Sequence, residues 1–168
     1  DVSGGLADPE MLTTVAELDV SFIAMHWRGH STKMQDRAAY DDVVADVCTE
    51  LQGRVDAVLA AGIAPDRLAL DPGLGFAKKG DHNWELLAGL GDVSALGYPV
   101  VIGASRKAFL GELLAGEDGT PRPVSDRDGA SAAVSALASR AGVWCVRVHD
   151  VSRSLDAVRV ATRWARFA

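Results

Sequence analysis

Apolar and polar positions along the chain alternate between two periods, one of strands and one of helices. "VSFIAMH" (20–26) predicts a short buried strand. "YDDVVADVCTELQGRVDAVLAAG" (40–62) then carries apolar residues at helical spacing, with Gly62 as a stop. Pro65 breaks the chain, and "RLALD" (67–71) predicts a second strand. "NWELLAGL" (83–90) predicts a short helix and "YPVVIGAS" (98–105) a third strand. "RKAFLGELLAG" (106–116) and "DRDGASAAVSALASRAG" (126–142) predict helices on either side of the loop "EDGTPRPVS". "VWCVRVHD" (143–150) is the fourth strand and "SRSLDAVRVATRWARF" (152–167) the last helix. The opening "DVSGGLADPE" is turn-like and has the look of a strand end whose beginning lies outside the chain.

Strands that alternate with helices predict βαβ units and a parallel sheet. The helices are about as long as a (β/α)8 barrel needs, and a complete barrel takes about 250 residues. With 168 residues, the chain is expected to be an α/β fold, the C-terminal half of a (β/α)8 TIM barrel. That half comprises four βα units plus the end of a fifth, one partial domain over 1–168 with the N-terminal half absent. A flavodoxin-like sheet is the alternative.

Composition narrows the function classes. Apolar residues make up 48%, enough for a sizeable core, and no run approaches the roughly 18 residues of a membrane span. Lys and Arg number 17 against 23 Asp and Glu, a net charge of -6 that argues against nucleic acid as partner. Cys48 and Cys145 have no CxxC or zinc spacing and read as reduced core thiols of a cytoplasmic protein.

In both candidate folds function sits at the carboxyl ends of the strands. There the chain places Met25–His26, Asp71, Ser105–Arg106–Lys107 and Arg147–Val148–His149–Asp150. Period-two alternation puts Arg147 and His149 on the inner face, while Trp144, Val146 and Val148 are expected to pack on helices. A buried arginine needs an anion, so this pair predicts an anion site; an internal salt bridge is the alternative. Gly103, Ser105 and Lys107 share a face if the strand stays extended to its end, with Gly103 leaving room for a flat ligand and Lys107 supplying a donor, unless it is a solvated residue opening the next helix. Asp71 faces inward above Ala69. Its two oxygens suit a ring that carries an amino group beside a ring N–H, unless it is a turn aspartate before Pro72. Phe76 offers an apolar wall. His26 is expected to be structural, His30 and His82 to lie in loops, and Lys33, Lys78 and Lys79 to be solvated.

"DVSGG", "MHWRG", "DPGLGF", "GASRKAFLG" and "RVHDV" occur in this order, at strand ends, across nearly the whole chain. Together they resemble the dihydropteroate synthase family of bacteria, and "MHWRG", "HNW" and "LLAG" resemble its actinobacterial form. The resemblance implies a transferase of folate biosynthesis (EC 2.5.1.15), which joins 6-hydroxymethyl-7,8-dihydropterin diphosphate to p-aminobenzoate and releases diphosphate. It implies that diphosphate leaves first, that magnesium assists it, and that sulfonamides compete for the aminobenzoate site. By the same resemblance Asp71 holds the pterin edge and Lys107 contacts the pterin near the aminobenzoate. Arg147 and His149 hold the diphosphate. Met25 and Phe76 line the apolar pocket, Gly103 leaves space for the pterin, and Ser105 sits beside the aminobenzoate carboxylate. The catalytic set is Lys107, Arg147 and His149.

The family also carries an asparagine ahead of "DVSGG", the metal's asparagine, a pterin-binding aspartate and two mobile loops, all in the half absent here. The chain alone is therefore expected to be inactive and poorly folded, and the full-length protein to be a homodimer through its last helices. Two rivals stand beside this reading. One is a pterin-binding methyltransferase domain, which has no diphosphate to hold. The other is a non-catalytic pterin-binding fragment.

Overall fold

Strand order follows chain order. β1 (Phe22–Met25) pairs in parallel with β2 (Leu68–Asp71), and β3 (Val101–Ile102) with β4 (Cys145–Val146). A bridge between Leu70 and Val100, with Leu70 N–H donating to the Pro99 carbonyl at 2.8 Å, joins the two pairs. Doubly wound sheets reverse their strand order at a switch point; this ladder does not, which removes the flavodoxin-like alternative. The chain start runs beside β1. The Asp1 ammonium donates to the Ile23 carbonyl at 2.8 Å, and Met25 N–H donates to the Asp1 carbonyl at 3.2 Å. The architecture is thus four βα units plus a fifth strand end. The computed structural model describes residues 1–30 and 34–168, and the expectation for Lys33 lies outside the described residues.

The helices are α1 (Met11–Leu18), α2 (Val43–Ala60), α3 (Gly80–Ala88), α4 (Leu90–Ser94), α5 (Ala108–Leu113), α6 (Asp128–Arg140) and α7 (Val151–Ala165). α2 begins where Asp42 accepts hydrogen bonds from the Val44 and Ala45 amides at 3.0 and 3.1 Å, satisfying amides that a helix start leaves free. Its Val43, Val47, Leu51, Val55 and Val58 lie on one face and are each no more than 1% exposed. They pack against Phe22, Ala24, Leu68 and Leu70, the helix-facing residues of β1 and β2. At about 1.5–3 kcal/mol per fully buried aliphatic side chain, this layer is a principal source of stability. The alternate positions, Met25, Ala69, Asp71, Gly103 and Ser105, line the opposite face.

Four expectations are corrected. The first is that 11–18, where the hydrophobic pattern announces no element, forms α1, which sets Val15 into the core with Leu12 and Ala16 packed beside it. Secondly, the helix expected over 83–90 starts at Gly80 and divides at Gly89, where an added Cβ would meet both Val44 methyls at 2.8 Å. His82 accordingly lies in α3 rather than in a loop, and its Nδ1 accepts from the Lys79 amide at 3.3 Å. Thirdly, Trp144 is 64% exposed rather than packed on helices. Finally, β3 and β4 are ladders of two residues each, shorter than their apolar runs.

Candidate active site

The inner face and the loops after the strands converge on one mouth. β1 and β2 deliver Met25 and Asp71 side by side, as paired residues, 2% and 5% exposed. Burial pushes the Asp71 carboxyl above its ordinary value, against the Gly73 amide, which donates to it at 2.8 Å, and against the charges of Lys107, Arg147 and Lys78. Next in the ladder, Gly103 lies under Arg147: a Cβ there would sit 2.7 Å from the Arg147 Nη2. The glycine is what lets the guanidinium lie across the strand. Arg147 and His149 are both exposed, which corrects the expectation of a buried arginine. They reach the same mouth but face open space. Ser105, in contrast, is buried, and its hydroxyl is engaged with the His149 Nδ1 at 3.0 Å and the His149 amide at 3.2 Å.

Lys107 reaches across from the β3–α5 turn to the loop after β2. Its ammonium donates to the Leu74 carbonyl and lies 4.8 Å from the centre of the Phe76 ring. Burial pulls its pKa down to about 8, with Asp71 opposing. Gly75 makes room for this crossing, since a Cβ there would meet the Lys107 Cδ at 2.9 Å. Between the two loops opens a cavity of about 430 Å3, lined by Phe76, Lys78, Lys79, Lys107 and Phe109 among others. Asp71 is not part of this lining, so the cavity is a side chamber beyond the Phe76–Lys107 pair.

Beneath the mouth is a network that sequence reasoning missed. Lys78, expected to be solvated, is 3% exposed. Its ammonium donates to the Gly73 and Phe76 carbonyls at 3.2 and 3.1 Å and to the His26 Nδ1 at 3.0 Å. Because Nδ1 accepts, neutral His26 carries its proton on Nε2, which donates to Glu50 at 2.9 Å. Arg28 also binds the Glu50 carboxylate, and its guanidinium stacks 3.8 Å above the Tyr40 ring. Tyr40 in turn donates its hydroxyl to the Ala77 carbonyl at 2.9 Å. This wrapping holds the loop "PGLGFAK", including Ala77 at the left-handed φ of 49°. A parallel device holds the other loop. Arg106, at φ 60°, is clamped by a bidentate pair to Asp128, both bonds 2.8 Å, while its amide donates to Ser131 Oγ at 3.1 Å. Two of the mouth's loops thus carry non-glycine residues in a costly conformation, each fixed by buried polar groups. His26 is structural, as expected from the sequence, and His30 is an exposed loop residue beside Trp27.

The Glu50 network makes stability sensitive to acid. The His26 hydrogen bond, and after it that from Arg28, holds Glu50 down to about 2 from an ordinary 4.5. Burial holds His26 below its ordinary 6.5. Both groups therefore favour the deprotonated form in the fold. Their contributions are complete above those ordinary values and are lost as the pH falls through the folded ones. Thermal denaturation should show the melting temperature falling as the pH drops from 7 to 2. Glu50→Gln should flatten the curve below pH 5, and an unchanged slope would show that the network is not coupled to folding.

Among the described residues no group of three or more His, Cys, Asp and Glu converges. The mouth is instead lined by Lys107, Arg147 and His149, a donor set for an anion.

An inner face that carries a buried carboxylate beside the cations of Lys107 and Arg147 suits a ligand with hydrogen-bond donors on one edge and an anion on the other. The chain belongs to the pterin binding enzyme family, whose model matches residues 1–149. Within that family it is similar to dihydropteroate synthases. It is 53% identical to the Mycobacterium leprae enzyme over 165 residues, which is 98% of this chain and 58% of that one. The Yersinia pestis dihydropteroate synthase, solved with a sulfonamide drug complex, superposes with a TM-score of 0.91 at 32% identity, covering 100% of this chain and 59% of that one. The Xanthomonas albilineans enzyme with 4-aminobenzoic acid superposes with a TM-score of 0.87 at 39% identity, covering 98% and 56%. The chain therefore spans less than three-fifths of the length of these relatives.

Proposed function

We propose that the protein to which this chain belongs is a dihydropteroate synthase. It condenses 6-hydroxymethyl-7,8-dihydropterin diphosphate with p-aminobenzoate to give 7,8-dihydropteroate and diphosphate. The observation that carries this reading is the placement of a buried carboxylate, Asp71, on one inner face with Arg147 and His149 at its rim. A methyl-transferring pterin binder has no leaving anion for that rim to hold. Asp71 accepts two hydrogen bonds from the pterin's amino group and ring N–H, against Met25. Arg147 and His149 bind the diphosphate and stabilise the charge that develops as the carbon–oxygen bond breaks. Lys107 contacts the pterin, and its position over Phe76 makes the two side chains one wall of the aminobenzoate site. The amine then attacks the exocyclic carbon in a reaction that rests on positioning and charge stabilisation.

The exposed apolar residues on α6 and α7, among them Leu137, Val160 and Trp164, support a homodimer through the last helices of the full-length protein. Among the described residues no helix is long and apolar enough to cross a membrane. A cytoplasmic location without a membrane partner belongs to the same proposal. The net charge of -6 fits an enzyme without a nucleic-acid partner. Magnesium would be held by residues outside this chain together with the diphosphate. The test is diphosphate release from the full-length protein given the pterin diphosphate, p-aminobenzoate and magnesium. Release that depends on p-aminobenzoate is the expected result, and its absence in folded protein would overturn the reading.

A further inference from the structure

Ser105 was expected to sit beside the aminobenzoate carboxylate, yet its hydroxyl is committed elsewhere. Ile102 and Val146 are paired in the β3–β4 ladder. Ser105 and His149 each lie three residues further on, so the two strands deliver them opposite one another. The His149 amide donates to the Ser105 Oγ at 3.2 Å, and the same oxygen lies 3.0 Å from the His149 Nδ1.

The donor count assigns the protons. A backbone N–H can only donate, so Ser105 Oγ accepts in that contact. Its one hydrogen is then left for the imidazole, and Nδ1 is the acceptor. The opposite arrangement would set two N–H groups against one oxygen and leave the hydroxyl hydrogen of a residue only 7% exposed without a partner among the described residues. A neutral imidazole whose Nδ1 accepts carries its proton on Nε2. His149 is exposed, and its Nε2 makes no hydrogen bond among the described residues.

We propose that Ser105 is a positioning residue. Gripping His149 at both its amide and its Nδ1, it fixes the ring's orientation and tautomer, so that an Nε2–H donor is held ready at the anion rim beside Arg147. The role of that donor rests on the diphosphate reading above; the assignment of its tautomer does not. Ser105 would act on the leaving group only through His149, and aminobenzoate recognition would not depend on its hydroxyl.

Two measurements on the full-length protein test this separately. In 15N NMR of the imidazoles the native protein should show His149 as one tautomer, protonated on Nε2 with a hydrogen-bonded Nδ1. The chain has 4 histidines, so His149→Ala identifies the signal. Ser105→Ala should replace that signature with exchanging tautomers, and Ser105→Thr, which keeps the hydroxyl, should restore it. An Nδ1–H tautomer in the native protein, or a signature unmoved by Ser105→Ala, would overturn the proposal whatever the enzyme's reaction.

The second measurement is kinetic. Loss of the group that orients an active-site histidine costs on the order of tenfold, by analogy with the partners of metal-bound histidines. Ser105→Ala should lower kcat by about that factor, with the KM for p-aminobenzoate unchanged, and should have no further effect in a His149→Ala background. A raised KM for p-aminobenzoate with kcat intact would assign Ser105 to that substrate instead. Equal losses in both backgrounds would likewise remove the link to His149. Failure of the reaction reading would leave no turnover to compare, while the NMR result would still stand or fall by itself.

Discussion

Asp71→Asn in the full-length protein should weaken binding of a 6-hydroxymethylpterin probe by about a hundredfold or more, with no loss of fold stability. The carboxylate presents acceptors alone to an edge that carries donors alone. Asparagine turns one of those oxygens into an NH2 group, which sets donor against donor. Hydrogen bonds to a charged group contribute about 1.5–3 kcal/mol each, and losing one while repelling the other reaches about 3 kcal/mol, or about a hundredfold in affinity. Stability should move the other way. Burial pushes the Asp71 pKa up, so the fold resists the charge that binding needs. A group with a raised folded pKa destabilises the fold above its unfolded value, and the neutral amide removes that cost at pH 7. Calorimetric titration and a melting curve on the same sample check both halves. Binding retained within a few-fold would show that Asp71 is a turn residue before Pro72 and not the pterin's partner.

The sequence was most legible where one side chain had to satisfy one constraint. Alternating apolar runs revealed the strands, and the residues that ended them revealed the mouth, because period two alone decides which side chains share a face. Asp71, Gly103 and Arg147 could be placed together without coordinates for that reason. Arg147 was misjudged in exposure, since the alternation fixes its face but not how open that face is. Trp144 failed in the complementary way: it sits on the expected outer face but is not covered there. α1 was missed because its eight residues leave only Val15 fully inside. The two-residue ladders of β3 and β4 have no sequence signature apart from their longer apolar runs.

The anchors beneath the site were illegible for a different reason. Glu50 lies on α2 and Lys78 in the loop after β2, 28 positions apart, and no spacing rule pairs a helix with a later loop. "AKK" looks like a solvated pair, and of its two lysines only Lys79 is exposed. A usable signal did exist in composition. The loop "DPGLGF" combines three residues of restricted or unusual backbone, Pro72, Gly73 and Gly75, with Gly73 and Gly75 at φ of 70° and 75°. A turn that tight directs its carbonyls inward, and inward carbonyls call for a cation. The next lysine in the chain is Lys78.

Lys78→Met is therefore the substitution with the largest expected cost to the fold. Methionine matches the stem in volume but supplies no donor. The Phe76 carbonyl and the His26 Nδ1 would then be buried without the donor they have now, at about 1–3 kcal/mol for each group left unsatisfied, while the Gly73 carbonyl would keep only the Phe76 amide. Part of this is offset, because burial already pulls the Lys78 pKa down to about 7 and the fold no longer has to desolvate an ammonium. A net loss of about 3 kcal/mol is expected, read as a lower denaturation midpoint at an unchanged slope. The damage should be local before it is global. Gly73 is tight against β1, where a Cβ would lie 2.5 Å from the His26 carbonyl, and Phe76 N–H donates to the Gly73 carbonyl at 3.0 Å. Hydrogen exchange should therefore rise first at Gly73 and Phe76, and pterin binding should weaken as the loop that carries the Gly73 donor to Asp71 loosens. Exchange unchanged at those two amides would mean that the turn holds itself and Lys78 only fills space. The pairing of lost protection with weakened binding would show that the cation at the loop's centre sets the geometry of the carboxylate above it.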